Sequence, residues 1–375
     1  MVNSAINILG KEKCTGCFGC FNACHFNAII MKLSIEGFFI PEIDENKCTN
    51  CGLCSSHCPV LNYNTCNFSK EDIEVYAAYS TNDSIRLLSS SGGIFTEIAE
   101  NIVEKNGVVF GAEWEKDLSV RHIGIERKSE LSKLRSSKYI QSNITNTYSE
   151  IIKLLKKENR KVLFAGTPCQ VAALKTFTSS ENLYTMDVVC HGIPSKTVFD
   201  EYLEYISSGN TVNSYTFRDK SLGWSNYKVK ATMENKENYE CITKHDPFFH
   251  GFICDLYSNS ACYNCKFSSL PRTGDLTMGD FWKVSDDLMD ERGVSLVLVN
   301  NETGKSLLHE VREQGRIKLH SKTIEEAIIG NPRIHDGHLD MRKNRSEILS
   351  TIRKEGFKNI YHKFIKNTDR YVKDV

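Results

Sequence analysis

Two short hydrophobic runs near the start of the chain, at residues 29–33 and 38–43, flank a polar turn that contains Gly37. Runs of this length on either side of a glycine-containing turn predict a β-hairpin. Near residue 69 the pattern changes to a longer alternation of apolar and amphipathic segments. The pattern therefore divides the chain into a small α+β unit and a larger unit of another class.

The larger unit begins with apolar runs of strand length at residues 74–80 and 108–114. Between them, residues 89–107 combine a Ser/Gly loop with a helical period of apolar positions that stops at Gly107. Alternation of strands and helices predicts an α/β domain whose sheet is largely parallel. Ligands of such sheets bind at the carboxyl ends of the strands, so we expect the functional site at that edge.

Two later segments repeat the order strand, tight turn, helix, with predicted strands at residues 162–165 and 186–189. Cys169 and Cys190 follow these strands, which places both thiols at the expected functional edge. Residues 274–282, with the sequence GDLTMGDFW, contain two acidic side chains and a tryptophan, and we predict a loop there.

Composition and charge narrow the class of protein. Across 375 residues, 47 Lys and Arg balance 47 Asp and Glu, so nothing indicates a nucleic-acid partner. No apolar run approaches the roughly 18 residues that span a bilayer, and the polar first ten residues do not resemble a signal peptide. We therefore predict a cytoplasmic protein without a transmembrane segment.

Residues 341–375 carry ten Lys and Arg against four Asp and Glu. This local excess of positive charge predicts either a solvated amphipathic helix or a docking surface for an acidic electron carrier.

The cysteine content points to a specific chemistry. The chain has 15 cysteines, nine of them before residue 67 and the other six from Cys169 onward. In a reducing compartment this number favours metal binding or redox chemistry over disulfides. The crowding of thiols at the N-terminal side indicates that metal sites should lie there.

Two stretches, KCTGCFGCFNACHF and KCTNCGLCSSHCPV, repeat the spacing C-x2-C-x2-C-x3-C. This is the bacterial ferredoxin spacing, in which four thiolates hold a 4Fe-4S cluster and the fourth cysteine ligates the other cluster. Zinc is the alternative, but repeated x2 spacings suit the ligand pairs of a tetrahedral zinc site poorly. We therefore assign two clusters with crossed fourth ligands: Cys14, Cys17, Cys20 and Cys58 for one, and Cys48, Cys51, Cys54 and Cys24 for the other.

One histidine and three further cysteines lie at or outside these runs. His25 stands where the second run has Pro59, and we interpret it as a tolerated substitution, with a hydrogen bond near a cluster as the alternative. We predict an ordinary thiol at Cys66. Cys241 and Cys254 have no cysteine neighbour at a useful spacing, and we assign them no site.

Four thiols of the larger unit form a further candidate site. Cys169 and Cys190 follow strands, and Cys262 and Cys265 form a C-x2-C knuckle in SACYNCKF. Their spacing leaves three interpretations open: a third 4Fe-4S cluster, a four-cysteine zinc site, or unrelated buried cysteines. The Ser/Gly loop at residues 89–93 is a candidate phosphate loop because it precedes a helix, and a plain N-cap explains it almost as well. Neither G-x-G-x-x-G nor a Walker A sequence occurs.

Six stretches together resemble a known family, the beta subunit of coenzyme F420 hydrogenase/dehydrogenase with an N-terminal two-cluster ferredoxin domain. In family order they are SSSGGIFTEI, SSKYIQS, LFAGTPCQVAAL, VVCHGIPS, SACYNCKF and GDLTMGDFW. The resemblance covers nearly the whole chain to about residue 330. It implies an α+β ferredoxin-like 2x(4Fe-4S) domain at residues 1–68 and an α/β flavin- and cluster-binding domain at residues 69–330. The resemblance does not cover residues 331–375, where we predict a basic helical tail.

The family's catalytic domain holds a flavin, usually FAD with FMN as the alternative, beside a 4Fe-4S cluster. The resemblance therefore implies a third cluster ligated by Cys169, Cys190, Cys262 and Cys265. It implies flavin contacts at the positions that match the family's binding stretches: Ser91, Gly92, Gly93, Lys138, Tyr139, Gly166 and Thr167. We assign no catalytic residue.

The function implied by this resemblance is that of an oxidoreductase. Single electrons would pass through 4Fe-4S clusters to or from a flavin, which exchanges two electrons with an unidentified organic acceptor. The expected partners are an electron-carrier protein such as ferredoxin or a partner redox subunit, and a small-molecule acceptor; a homo-oligomer is compatible with the sequence. The alternatives are a non-catalytic relay beta subunit of a hydrogenase or formate dehydrogenase complex, a reductase of the deazaflavin coenzyme F420, and a redox sensor without flavin. The Lys-, Asn- and Ile-rich composition suggests an anaerobe.

Overall fold

The computed structural model describes residues 4–62, 73–337 and 341–368. Cys66 lies outside the described residues, and its role stays a prediction. The first range contains a β-hairpin and three short helices: α1 (Ala5–Leu9), α2 (Gly19–Ala23), β1 (Ile29–Leu33), β2 (Phe39–Ile43) and α3 (Leu53–Ser56). β1 and β2 pair antiparallel, with Ile29 opposite Ile43. The hairpin predicted from the sequence is thereby confirmed.

Gly37 occupies the turn of this hairpin with a φ of +83°. A left-handed backbone favours glycine, and packing also excludes a side chain, because a Cβ there would lie 2.4 Å from the Thr197 backbone nitrogen. Beside the turn, the Ser195 hydroxyl donates to the Glu36 carbonyl at 2.6 Å. The hairpin turn is therefore seated directly on the domain that follows.

The second range holds two sheets and the helices that cover them. Its strands and α-helices in chain order are β3 (Glu74–Ser80), α4 (Asp83–Leu88), α5 (Ile94–Glu104), β4 (Val108–Trp114), β5 (Val120–Ile125), β6 (Ser142–Asn143), α6 (Thr147–Lys157), β7 (Val162–Gly166), α7 (Pro168–Lys175), β8 (Leu183–Val188), α8 (Lys196–Ser207), β9 (Val212–Asp219), β10 (Lys228–Met233), β11 (Asn238–Ile242), α9 (Pro247–Ile253), β12 (Leu276–Asp280), β13 (Ser295–Val299), α10 (Glu302–Glu313), β14 (Ile317–Lys322), α11 (Ile324–Gly330) and α12 (Arg333–Asp336). The third range contains α13 (Arg345–Ile360) and a π-helical turn at Tyr361–Ile365. The strands predicted at 74–80 and 108–114 and the helix between them are confirmed.

Nine of the described strands form one sheet in the order β14-β3-β13-β12-β8-β7-β4-β5-β6. Four of its eight neighbouring pairs are parallel: β12–β8, β8–β7, β7–β4 and β5–β6. The prediction of a largely parallel sheet is therefore wrong, and the sheet is mixed. On one side of the sheet, antiparallel pairing joins β12 to β13, β13 to β3, and β3 to β14. This order in the sheet differs from the order of the strands along the chain. A local alternation of strands and helices does not reveal such pairings.

Residues 274–282, predicted as a loop, contain strand β12. This strand pairs in parallel with β8 and in antiparallel with β13, with Met278 opposite both Val188 and Val297. The loop prediction is therefore wrong for residues 276–280. Gly279 and Asp280 are poor strand formers, and the two neighbouring strands override their local preference by pairing with the backbone.

The large sheet is covered on both faces, as an α/β domain requires. Leu163 of β7 packs with α5 and α10 on one face, where Ile98 and Leu308 are fully buried. The next residue, Phe164, packs with α6 and α7 on the other face, together with Tyr148. The predicted α/β class is thereby confirmed, with a mixed rather than a largely parallel sheet.

The C-terminal segment packs against the α/β domain. Ile348, Ile352 and Phe357 of α13 are buried in one hydrophobic cluster with Phe199 and Tyr202 of α8. The helical prediction is confirmed for residues 345–365, whereas the docking role of the basic tail and the three domain boundaries stay predictions. None of the helices within the described ranges is both long and apolar enough to cross a membrane.

Candidate metal centres

Four cysteines of the N-terminal domain line one cavity: Cys14, Cys17, Cys20 and Cys58. We call them the inner set. Burial raises the pKa of Cys14 to about 11 and that of Cys17 to about 12. Burial also raises the pKa of Cys20 well above its usual range, and neighbouring thiolates add to the rise. Such thiols give up their protons when a cation replaces them, which suits iron binding.

The other four ferredoxin-type cysteines line a second cavity: Cys24, Cys48, Cys51 and Cys54. We call them the outer set, because Cys51 is exposed. Backbone amides point at two of the sulfurs, since Ala28 N donates to Cys24 Sγ at 3.3 Å and Ala5 N donates to Cys54 Sγ at 3.4 Å. Such hydrogen bonds stabilise thiolate ligands of iron–sulfur clusters.

The structure thus brings together the same two sets that the crossed assignment groups. Cys24 lies with the second run, and Cys58 lies with the first run, as a two-cluster ferredoxin requires. Cluster ligation by these eight cysteines stays a prediction, and the chemistry of the two donor sets, four thiols each, fits it.

Left-handed turns at equivalent positions shape both runs. Gly16 and Asn50 precede the second cysteine of each run with φ of +64° and +58°, and Phe18 and Gly52 follow it with φ of +65° and +77°. Phe18 is an unusual residue for this conformation, but its ring is buried beside Tyr148 in the cluster under α6 and α7. Packing against the α/β domain therefore stabilises a turn that glycine forms in the other run.

The four cysteines of the α/β domain also converge. Cys169 lies in the first turn of α7, Cys190 follows β8, and Cys262 and Cys265 lie between α9 and β12. We call them the third set. Burial raises the pKa of Cys169 well above its usual range, and the nearby Cys265 thiolate adds to it. Burial raises the pKa of Cys190 and of Cys262, and Cys265 again adds to both.

A buried ion pair that the sequence analysis did not identify holds this arrangement together. Arg272 Nη2 lies 2.9 Å from Asp187 Oδ1, and both side chains are fully buried. Asp187 also accepts hydrogen bonds from Gly274 N at 2.8 Å and Thr273 Oγ1 at 2.9 Å. Asp187 lies on β8, just before Cys190, and Arg272 follows the knuckle. The pair therefore fastens the knuckle to the strand that leads to Cys190. The signal in the sequence was an aspartate within an apolar strand, which needs a partner when it is buried.

Tyr148 lies where the N-terminal domain meets the third set. Its side chain is fully buried, and its hydroxyl is 2.8 Å from the Cys17 carbonyl and 3.1 Å from the Gln170 carbonyl. Burial raises the pKa of Tyr148 well above its usual range, and the thiolates of Cys17 and Cys169 add to the rise. Tyr148 therefore has the inner set on one side and the third set on the other.

Within the described ranges, no three His, Cys, Asp or Glu side chains lie close enough together to hold a single metal ion. A 4Fe-4S cluster is held by four thiolates, each on a different iron atom. Its ligand sulfurs therefore lie farther apart than the ligands of a single metal ion. Each of the three sets supplies four cysteines and no other ligand type, which fits a cluster.

The predicted flavin contacts fall into two groups. Ser91 and Gly92 bind β13, since Ser91 Oγ donates to Val294 O at 2.8 Å and Gly92 N donates to Ser295 Oγ at 2.9 Å. Gly93 begins α5 with a φ of +88° and no side-chain cap. The Ser/Gly loop thus joins α5 to the sheet, and the first amides of α5 remain available for an anion.

The second group lies nearer the third set. Gly166 ends β7, and Thr167 begins α7 with its hydroxyl 3.2 Å from Cys169 Sγ. Lys138 is partly buried, and the loss of solvation lowers its pKa to about 8. Its ammonium donates to Arg135 O at 2.8 Å. Tyr139 packs its ring against Phe217 with a centroid separation of 5.2 Å.

Arg218 connects these stretches and was not identified from the sequence. Its guanidinium lies 2.7 Å from Asp280 and donates to Ser90 O at 2.8 Å and to Tyr139 Oη at 3.2 Å. Asp280 also accepts from Trp224 Nε1 at 2.7 Å. Arg218 therefore ties the Ser/Gly loop to the segment of Lys138 and Tyr139. Arg218 lies on β9, far in sequence from both, so no local pattern indicated it.

The remaining residues singled out from the sequence line neither of the two ferredoxin-domain cavities. His25 is exposed, so its interpretation as a tolerated substitution stays a prediction. Cys241 is partly buried on β11. Cys254 is buried at the end of α9, with its sulfur 3.8 Å from His250 Nε2.

Comparison with known proteins follows the same division of the chain. Residues 13–62 match the 4Fe-4S dicluster domain, and residues 159–325 match the C terminus of the beta subunit of coenzyme F420 hydrogenase/dehydrogenase. No curated protein matches the chain. Among solved structures, one chain of the xenon-derivatized F420-reducing NiFe hydrogenase complex from Methanosarcina barkeri is similar to this chain at 18% sequence identity. The alignment covers 75% of this chain and 89% of that chain, with a TM-score of 0.47. The resemblance stated from the sequence is confirmed: this chain joins a 4Fe-4S dicluster domain to a domain of the coenzyme F420 hydrogenase/dehydrogenase beta-subunit family.

Proposed function

We propose that this chain is an iron–sulfur flavoprotein oxidoreductase that relays single electrons to or from a flavin, which exchanges two electrons with an organic acceptor. The inner and outer sets would each hold one 4Fe-4S cluster, and the third set would hold another. Bound clusters transfer one electron at a time and a bound flavin combines two, which is the chemistry that these groups supply. The protein's contribution is to bind them at short distances, exclude water and adjust their potentials.

The continuity of the three cysteine sets carries this proposal. Cys54 of the outer set lies near Cys20 of the inner set, and Cys17 of the inner set lies near Cys169 of the third set. Tyr148 adds hydrogen bonds to the backbone on both sides of the second approach. The outer set with its exposed Cys51, the inner set and the third set therefore follow one another toward the α/β domain.

The flavin is supported by the second group of predicted contacts. Gly166 and Thr167 adjoin Cys169 at the carboxyl end of β7, which is where ligands of such sheets bind. Lys138 is a partly buried cation whose ammonium donates to a backbone carbonyl, and Arg218 donates a hydrogen bond to the Tyr139 hydroxyl. These residues would hold the flavin next to the third set, as the family resemblance implies.

A second candidate function is that of a non-catalytic relay subunit. It is favoured by an exposed apolar side chain at the outer set, where Phe26 lines the cavity at 48% exposure. Exposed apolar surface beside a redox site suits docking of a partner redox subunit or an electron-carrier protein. Turnover of an acceptor, coenzyme F420 included, by the isolated and chemically reduced protein distinguishes the two: turnover supports the enzyme, and turnover only with a partner supports the relay.

The composition of the anaerobically purified protein tests the proposal first. We expect about twelve irons and one flavin per chain, because three 4Fe-4S clusters hold twelve irons. About eight irons without flavin would instead identify a protein that has kept only the ferredoxin clusters.

Substitution of Cys169 tests the third set directly. Cys169→Ser should remove roughly a third of the iron and stop electron delivery to the flavin, while the EPR signals of the ferredoxin clusters persist. Cys241→Ser is the matched control, since Cys241 belongs to none of the three sets, and it should leave the iron content unchanged. Wild-type iron content in Cys169→Ser would show that Cys169 is not a ligand.

A further inference from the structure

The short helix α12 is held between the two segments that carry the third set. Just before it, Asn331 Nδ2 donates to Asp280 O at 3.0 Å, and Leu270 N donates to Ile334 O at 3.0 Å. Asp280 ends β12, which runs parallel to β8 and so reaches the level of Cys190. Leu270 follows the knuckle cysteines. The helix is therefore fixed to both sides of the third set, outside residues 159–325 that match the family.

Arg333, the first residue of α12, presents an unpaired cation at this position. Its Nε and Nη1 atoms are buried and have no hydrogen-bond partner among the described residues. Arg272 also lies near Cys190 but is neutralised, because its guanidinium pairs with Asp187 and donates to the Val188 carbonyl at 2.7 Å. Arg333 as a whole is partly buried, but buried donor atoms without a partner are costly, so a nearby negative charge in the assembled protein would compensate them.

The third set supplies such a charge. Ile334, the residue after Arg333, is buried in one hydrophobic cluster against which Val189 and Leu270 pack. Val189 precedes Cys190 and Leu270 follows the knuckle, so Arg333 lies beside both segments that carry the third set. A 4Fe-4S cluster with four thiolates carries a charge of about −2 when oxidised and one more negative charge when it accepts an electron.

We propose that Arg333 raises the reduction potential of the third cluster by stabilising its reduced form electrostatically. The inference rests on the proposed function, because it requires a cluster at the third set. A fixed positive charge interacts more strongly with the more negative of two redox states, which raises the midpoint potential. The effect favours transfer of one electron from a reduced ferredoxin-domain cluster to the third cluster. Arg333 is thus a positioning residue that acts through the cluster.

An anaerobic redox titration followed by EPR tests this inference on the complete protein. The third-cluster signal is identified as the one that Cys169→Ser removes. In Arg333→Gln we expect that signal to titrate at a lower potential, with about twelve irons retained and the ferredoxin-domain signals unmoved. Arg333→Lys keeps the charge and should restore most of the wild-type potential.

Arg127→Gln is the matched control for loss of one positive charge. Arg127 follows β5, whose last residues pair with the beginning of β4, so it lies at the opposite edge of the sheet. Its side chain is 76% exposed. This variant should leave all three potentials unchanged.

The outcomes separate this inference from the proposed function. About eight irons in the wild-type protein would remove the third cluster and with it both claims. Twelve irons with an unchanged potential in Arg333→Gln would overturn the role of Arg333 alone, as would loss of flavin at an unchanged potential. If Arg333→Gln loses iron that Arg333→Lys retains, the charge is needed for assembly, which supports the inference, and loss of iron from both variants would overturn it.

Discussion

The ferredoxin domain and the α/β domain assemble four-thiol sites in two different ways. In the ferredoxin domain each set takes three cysteines from one run of seven residues and a fourth from the other run. In the α/β domain, Cys169 and Cys265 are separated by nearly a hundred residues, and the set depends on how β8, α7 and the knuckle are brought together. The first site is encoded by local spacing, and the second by tertiary structure.

This difference determines what stabilises each site. In the ferredoxin runs, left-handed turns before and after the second cysteine orient the thiols locally. The third set needs contacts between segments that are distant in sequence, and the buried ion pair of Asp187 and Arg272 supplies one. The Thr273 backbone nitrogen also donates to Asp187, at 3.2 Å. Substitutions of residues that are not themselves predicted ligands should therefore damage the third set and spare the other two.

The largest expected effect follows from breaking the buried ion pair. Asp187→Asn would leave the Arg272 guanidinium buried without its counter-charge, which typically costs about 3–5 kcal/mol. We expect the α/β domain to unfold at lower denaturant concentration and the purified protein to contain roughly a third less iron. Denaturation curves and iron analysis measure both effects.

The control for Asp187→Asn is a pair at the surface. Glu347→Gln removes a half-exposed partner of Lys363, and surface pairs contribute little to stability. It should leave the denaturation midpoint and the iron content unchanged. If Asp187→Asn lost the ferredoxin clusters and kept the third, the two regions would not differ in the way described above.

A second prediction concerns the crossing within the ferredoxin domain. Cys58 is the last cysteine of the second run but lines the cavity of the inner set. Cys58→Ser and Cys14→Ser should therefore affect the same cluster. Each variant alone should lose about four irons, and the double variant should lose no more. Cys58→Ser combined with Cys48→Ser should lose about eight irons. The crossed assignment would be wrong if this second pair lost no more iron than either single variant.

The same contrast explains how much could be predicted from the sequence. The strands at 74–80 and 108–114 and the grouping of ferredoxin cysteines follow local patterns, and the structure places them accordingly. The antiparallel side of the sheet and strand β12 were missed, because their hydrogen bonds join segments far apart in the chain. Asp187, Arg218 and Arg333 were missed for a related reason. A polar side chain shows its partner only after the fold has brought that partner near.

The smallest expected effect lies where the two regions meet. Tyr148→Phe removes a hydroxyl that links the Cys17 and Gln170 carbonyls, and loss of such a bond costs about 1 kcal/mol. We expect wild-type iron content and slower flavin reduction from the ferredoxin clusters in stopped-flow measurements, since the inner and third sets lose a shared anchor. Tyr202→Phe is the control, because its buried hydroxyl donates to Asp246 at 2.6 Å in another part of the core. It should lose at least as much stability, because its partner is a carboxylate, without slowing transfer. Equal rates in both variants would mean that packing alone holds the two sets together, and that Tyr148 contributes only its ring.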